Sequence, residues 1–391
     1  MKLYEEIIEE ISSLYRETDT EEVMLVESLG RVLQQKVIAD LDMPPFNRSA
    51  VDGYACRKED LGNKMEVREM IAAGTVPLYK IGLNQCSKVM TGATVPGGAD
   101  LVFMTEDTEI ISESWVRCTN LESKINIAYY GEDYRQGDAL LEKGTIIKSE
   151  HLAVIAGAGL DRITVSVLPR IGLIITGTEL VAHNELPVEG KIRNTNGVQI
   201  ISLLKELSIT ATYYGIIPDE REKLHRVFRK SIAENDMVII TGGAAAGDFD
   251  FVPDLIREEG YSILWERTGL KPGNPMSFGM KNDSCVFGLS GNPVSSLVQF
   301  KYLVVPVIYH LLGAAYKPLR IKASMKLDYF RMNASRLGII PVRINADGEI
   351  EEIPFNGSAH INALSMANAF MEIPAGKNEI KQGEQVYVRP L

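Results

Sequence analysis

Four carboxylates and one lysine stand in loops whose composition suits an anionic ligand. Glu179 closes the run Thr176-Gly177-Thr178-Glu179, and Asp219 follows Ile217-Pro218. Asp250 ends Gly242-Gly243-Ala244-Ala245-Ala246-Gly247-Asp248-Phe249-Asp250, and Lys271 opens Lys271-Pro272-Gly273-Asn274-Pro275. Asp52 lies in Pro44-Pro45-Phe46-Asn47-Arg48-Ser49-Ala50-Val51-Asp52-Gly53-Tyr54-Ala55, a segment that fits neither helical nor strand periodicity. Its prolines fix the chain, Arg48 and Ser49 offer hydrogen bonds, and Gly53 permits a turn. A domain linker would explain this segment equally well.

Glycines at a strand-to-helix junction let backbone N–H groups approach a phosphate, and the helix N-terminus adds favourable partial charge. Thr176 and Gly177, Gly242 and Gly243, and Gly288-Leu289-Ser290-Gly291-Asn292-Pro293-Val294-Ser295 all have this character. Pro293 suits a first helical turn, and Asn292 and Ser295 add polar side chains. Acids beside a phosphate pocket point to a divalent cation, and oxygen ligands favour magnesium, which nominates Glu179, Asp219 and Asp250. Each loop also reads as an ordinary tight turn, and Asp219 as a helix N-cap.

The elements that would position these loops alternate. Strands are expected at Arg170–Thr176, Thr210–Ile217, Met237–Thr241, Ser262–Trp265 and Cys285–Leu289, with helices at Arg221–Ile232, at Phe251–Glu259 and from Pro293 onward. Such alternation predicts a doubly wound α/β domain whose ligand sits beyond the carboxyl ends of the strands. Gly- and Pro-punctuated apolar runs over 44–137 predict a β-rich domain, and turn signals after Leu319 predict a small C-terminal β-barrel.

Composition narrows the function. At 391 residues the chain needs roughly two to four domains. A formal net charge of -11 argues against a nucleic-acid binder. Cys56, Cys86, Cys118 and Cys285 lack the spacing of a zinc site or a disulfide framework. The N-terminus reads as an acidic amphipathic helix rather than a signal peptide, and the apolar run Phe300–Leu312 is too short to cross a bilayer. A cytoplasmic protein without membrane contact is expected.

Taken in order, these motifs resemble the MoeA family of molybdopterin molybdenumtransferases, which includes the C-terminal domain of gephyrin. The likeness runs through Pro44–Ala55, Met90-Thr91-Gly92-Ala93, Gly131-Glu132-Asp133, Thr176–Leu180, the Gly242-Gly243 loop, Lys271-Pro272-Gly273 and Gly291–Ser295. It implies a connecting domain (1–43 and 138–168), a β-rich domain (44–137), a MogA-like α/β domain (169–316) and a C-terminal barrel (317–391). It also implies molybdenum cofactor biosynthesis: molybdate is inserted into adenylylated molybdopterin and AMP is released with Mg2+ assisting.

A homodimer is implied as well, with Asp52, Thr91 and Asp133 from one subunit and Glu179, Asp219, Asp250, Lys271 and Pro293 from the other. A MogA-like adenylyltransferase or a molybdoenzyme client are further partners on this reading. Four positions depart from the family pattern. Ala244-Ala245-Ala246 offers no hydroxyl, Asn274 and Glu266 stand where lysines are usual, and Ser290 replaces a proline. The alternative they raise is a paralogue that binds molybdopterin or the finished cofactor without catalysing insertion, or that uses tungstate.

Overall fold

The parallel strands of the α/β domain read as mostly apolar runs, and the three inner ones are almost wholly buried, whereas the edge strand keeps exposed residues. In the computed structural model, which describes residues 2–14, 19–243, 251–314 and 316–391, these are β1 (Ile171–Thr176), β2 (Ala211–Ile217), β3 (Met237–Thr241) and β6 (Ser284–Leu289). With β4 (Ser262–Arg267) and β5 (Pro275–Lys281) they form one sheet in the order β2-β1-β3-β6-β5-β4. The first four run parallel, whereas β5 is antiparallel to both neighbours. The α/β expectation holds. Strand β5 escapes the sequence pattern because Pro275 and Gly279 interrupt it.

Register does the positioning. Thr176 pairs with Ile217, Ile175 with Thr241, and Thr241 with Leu289, so four strands end at one level. The loops that follow therefore leave one edge of the sheet together. Helix α1 (Asn196–Glu206) buries Ile200, Leu203 and Leu204, and α2 (Arg221–Glu234) buries Leu224, Phe228 and Ser231. Those spacings place one apolar stripe on each helix.

Helix α3 is Val252–Glu258, and α4 runs from Pro293 to Leu311 with a π-helical turn at Phe300–Val304. Among the described helices α4 alone is long and apolar enough to cross a bilayer, yet it is mostly buried within the fold. Every residue from Val294 to Phe300 is buried. It is a core helix, and its first turn lies beside the loop after β6.

The chain separates into two compact units. The first contains residues 1–35, 143–152 and 162–391, and the second contains 36–142 and 153–161. In the first, the strands Ile321–Met325, Leu337–Ile344, Glu349–Glu352, Ala369–Ile373 and Gln385–Pro390 close a five-stranded barrel near the C-terminus. The short strand Leu270–Lys271 adds to this barrel by parallel pairing of Lys271 with Gly338.

In the second unit a six-stranded sheet packs Tyr54, Met65, Phe103 and three cysteines into its own core. Burial pushes the Cys86 thiol up to about 12 and raises Cys56 and Cys118 as well. These are packing residues rather than nucleophiles.

Candidate functional site

At the common edge of the sheet the loops after β1, β2, β3 and β6 surround a cleft of about 840 Å³. Gly242 lies against β1 so closely that a Cβ there would sit 2.2 Å from the Thr176 carbonyl oxygen. Its φ of 97° is also one that side chains resist. Thr176 Oγ1 donates to Asp219 Oδ1 at 2.6 Å, and the Thr178 N–H donates to Asp219 Oδ2 at 2.9 Å. Asp219 thus ties the first loop to the second. Each of its carboxylate oxygens keeps a further lone pair.

Thr176, Gly177, Glu179, Asp219, Gly242, Gly243, Asn292 and Pro293 all line this cleft, as the sequence reading expects. Glu179 and Asn292 are exposed. Asn292 precedes α4 without bonding its side chain to that helix, so its amide is available. Asp250, Ala244, Ala245 and Ala246 lie outside the described residues. No cluster of three or more metal-ligating side chains forms among the described ones.

Sequence reasoning missed the cleft's cations. Lys191 and Arg193 line it beside Asn194 and Asn196. Lys191 Nζ donates to the Thr178 carbonyl at 2.6 Å, and Asn196 Nδ2 to the Gly291 carbonyl at 2.8 Å. Asn196 Oδ1 and Thr241 Oγ1 are buried there without a partner among the described residues. The polar run Arg193-Asn194-Thr195-Asn196-Gly197, which leads into the first turn of α1, was the available signal.

A second cleft, of about 420 Å³, adjoins the first, and Pro275, Ser290 and Asn292 line both. Lys271, Ser295, Arg336 and Ser358 also line it. Pairing of the Leu270–Lys271 strand with the barrel brings Arg336 to Lys271, and Arg336 Nη1 donates to the Leu270 carbonyl at 3.2 Å. Arg336 and Ser358 come from the barrel, too distant in sequence for spacing to reveal. Gln299, fully buried on α4, fastens the two loops of this cleft. Its Nε2 donates to the Gly273 and Pro275 carbonyls at 3.0 and 2.7 Å, and its Oε1 accepts the Ser290 N–H at 2.8 Å.

The altered positions have structural partners. Glu266, which stands where the family pattern has a lysine, pairs with Arg257 of α3 and lines neither cleft, so its negative charge is met by a cation outside them. Asn274 Nδ2 donates to the Thr268 carbonyl at 2.7 Å, closing the lysine loop on itself. Ser290 Oγ accepts the Asn292 N–H at 3.2 Å.

The second unit holds the remaining expected residues. Asp52 Oδ1 accepts both the N–H and the hydroxyl of Thr91, at 2.6 and 2.7 Å. These two bonds hold its carboxyl below the usual aspartate range. Asp52, Thr91, Asp133 and Arg48 are exposed. Ser49 is a correction: it is 1% exposed and its hydroxyl donates to the Val51 carbonyl at 2.6 Å, so it shapes the loop and presents nothing to a ligand.

Comparison with known proteins matches three successive regions: MoeA N-terminal region (domain I and II) at 3–159, a probable molybdopterin binding domain at 172–310, and MoeA C-terminal region (domain IV) at 326–391. The molybdopterin molybdenumtransferase of Staphylococcus epidermidis is 34% identical over 98% of this chain and 94% of its own. The chain belongs to the MoeA family. The Bacillus subtilis molybdopterin molybdenumtransferase is 32% identical, covering 98% of this chain and 93% of its own. The crystal structure of the molybdopterin biosynthesis MoeA protein from Pyrococcus horikoshii superposes with a TM-score of 0.81 at 30% identity, covering 100% of both chains. The MoeA family thus accounts for the motif order and for the fold along the full chain.

Proposed function

We propose that this MoeA-family chain is a molybdopterin molybdenumtransferase that inserts molybdate into adenylylated molybdopterin and releases AMP. One observation carries the reading: a glycine-lined cleft at the carboxyl edge of the sheet adjoins a smaller cleft holding Lys271 and Arg336, and Asn292 and Ser290 belong to both. Phosphate and oxyanion sites side by side are what transfer between a nucleotide-bearing pterin and molybdate requires.

In this reading Gly242, Gly243 and Asn292 hold phosphate, with Lys191 and Arg193 offsetting its charge. Lys271 and Arg336 hold molybdate. Cations fixed beforehand where negative charge gathers supply most of the acceleration in such sites. Magnesium is commonly held by one or two carboxylates plus substrate phosphates, and Glu179 with Asp219 fits that need among the described residues. Bound there, it would neutralise phosphate charge.

The reading also includes a homodimer in which Asp52, Thr91 and Asp133 of one copy serve the cleft of the other, with Arg48 beside them. Leu186, Val188 and Ile192, exposed at 84%, 71% and 57% in the segment bordering the larger cleft, support a partner surface there. The four domains of the family plan, a cytoplasmic setting, a MogA-like adenylyltransferase upstream and a molybdoenzyme client downstream complete it. Purified protein given adenylylated molybdopterin, molybdate and magnesium should release AMP in step with molybdate incorporation. Tight pterin binding with AMP release no faster than the background would sink the reading.

A further inference from the structure

A third cleft, of about 860 Å³, shares no lining residue with the other two. It lies among the N-terminal helix Tyr4–Ser13, the end of α4 and the C-terminal barrel, all within the first unit. Leu3, Ile8, Pro306, Leu337 and Val386 make much of its wall apolar. Arg389 stands among them, only 6% exposed.

Arg389 has polar company, but no carboxylate among the described residues lies within ion-pair distance of it. Its guanidinium lies 4.4 Å from the centre of the Tyr302 ring, and Nη2 donates to the Lys301 carbonyl at 3.2 Å and to the Tyr316 hydroxyl at 2.7 Å. The Tyr4 hydroxyl is also within its hydrogen-bonding reach. Burial raises the Tyr4 and Tyr302 phenols, so neither supplies a negative charge near neutrality. Glu372, the buried acid of the same cleft, is held by Arg320 at 2.7 Å and accepts the Tyr302 hydroxyl at 3.0 Å. Arg389 enters no ion pair among the described residues.

A buried cation without an anion is costly unless a ligand supplies one. We propose that this cleft binds a small monocarboxylate with an apolar body, its carboxylate seated on Arg389 and its body on the apolar wall. The planar guanidinium matches a carboxylate, and the cleft has the size of a small-molecule site. Of the other charges lining the cleft, Arg320 and Lys377 are paired with Glu372 and Glu384, and Lys317 stands against Glu5 and Glu9, so the lining has no surplus of positive charge for a dianion such as a phosphate monoester.

Calorimetric titration of the full chain with 3-phenylpropanoate, 3-phenylpropanamide and phenyl phosphate tests this. The acid should bind at least about tenfold more tightly than the amide or the phosphate ester, a difference of roughly one charge-assisted contact. Arg389→Gln should remove most of that preference. Arg389→Lys, which keeps the charge but not the fork, should weaken acid binding several-fold, and Tyr316→Phe should weaken it less. Equal affinity for acid and amide, tighter binding of phenyl phosphate, or no binding of the acid up to about 1 mM would each overturn the proposal. If Arg389→Gln does not fold, Arg389→Lys and Tyr316→Phe decide it, and unchanged acid binding in both rejects the site.

Discussion

The Gln299 side-chain amide donates to the Pro275 carbonyl at 2.7 Å, so a residue buried in the long helix α4 sets the position of the lysine loop. The same amide holds Gly273 and Ser290, which makes it the joint between the two loops of the molybdate cleft proposed above. Replacing it with leucine would take this partner from the Pro275 carbonyl and the Ser290 N–H, while the Gly273 carbonyl keeps the bond it accepts from the Thr268 hydroxyl. Each such loss costs about 1–3 kcal/mol when the group stays buried.

Gln299→Leu should therefore lower stability by roughly 2–4 kcal/mol, seen as an earlier urea midpoint. AMP release should fall further than stability alone explains, because Lys271 and Asn292 lose their mutual aim. Gln299→Glu tests the donors separately, since it keeps the acceptor for Ser290 but turns a carboxylate on two carbonyls. Normal turnover in either variant, with the fold intact, would show that the joint is dispensable.

Asp219 and Thr176 offer a way to separate loop geometry from cation binding. Thr176→Val removes only the hydroxyl that donates to Asp219. Asp219→Asn removes the charge while leaving an oxygen to accept a hydrogen bond. If Asp219 helps hold magnesium, Asp219→Asn should raise the magnesium concentration needed for half-maximal AMP release by about tenfold or more. Thr176→Val should change it little. Equal shifts in the two variants would mean that Asp219 acts through the loop alone.

The contrast between these residues shows what a sequence can disclose. Glu179, Asp219, Gly242 and Asn292 were legible because each follows a strand, and parallel strands bring their loops to one edge by topology. Gln299 was not, because it lies in an apolar helical run where a glutamine carries no sign of three loop contacts. Arg336 and Ser358 escaped for a different reason: Arg336 reaches the lysine loop through pairing of a barrel strand with a short strand far away in sequence, and Ser358 is brought there by its carbonyl, which accepts the Val294 N–H. The partner of Glu266 was hidden too, because Arg257 sits on a helix nine positions earlier and meets the charge outside both clefts. Strand β5 was hidden by its own proline and glycine.

The Asp52 carboxyl is held below the ordinary aspartate range by the Thr91 N–H and hydroxyl. A group whose folded pKa is depressed adds stability above its unfolded pKa of about 3.9 and loses it as pH falls through the folded value. At pH 7, Asp52→Asn should thus be less stable than the natural protein. The gap should begin to close near pH 4 and vanish at lower pH. Urea midpoints measured across that range check the sign, and a gap that widens on acidification would refute the assignment. Thr91→Val should reproduce part of the effect by removing one of the two bonds.

Asn274 is the altered residue whose replacement should change molybdate use. Its side chain closes the loop on the Thr268 carbonyl instead of offering charge to the cleft it lines with Lys271 and Arg336. Asn274→Lys trades that closure for a third cation. Charge-assisted bonds are roughly twice as strong as neutral ones, so the molybdate concentration for half-maximal AMP release should fall several-fold. The melting temperature should fall too, because the carbonyl of buried Thr268 loses a partner. Added salt should weaken molybdate binding more in the variant than in the natural chain, since the gain is electrostatic. If the molybdate dependence does not move while the melting temperature drops, Asn274 lies beside the oxyanion site without reaching it, and Lys271 with Arg336 must supply that charge alone.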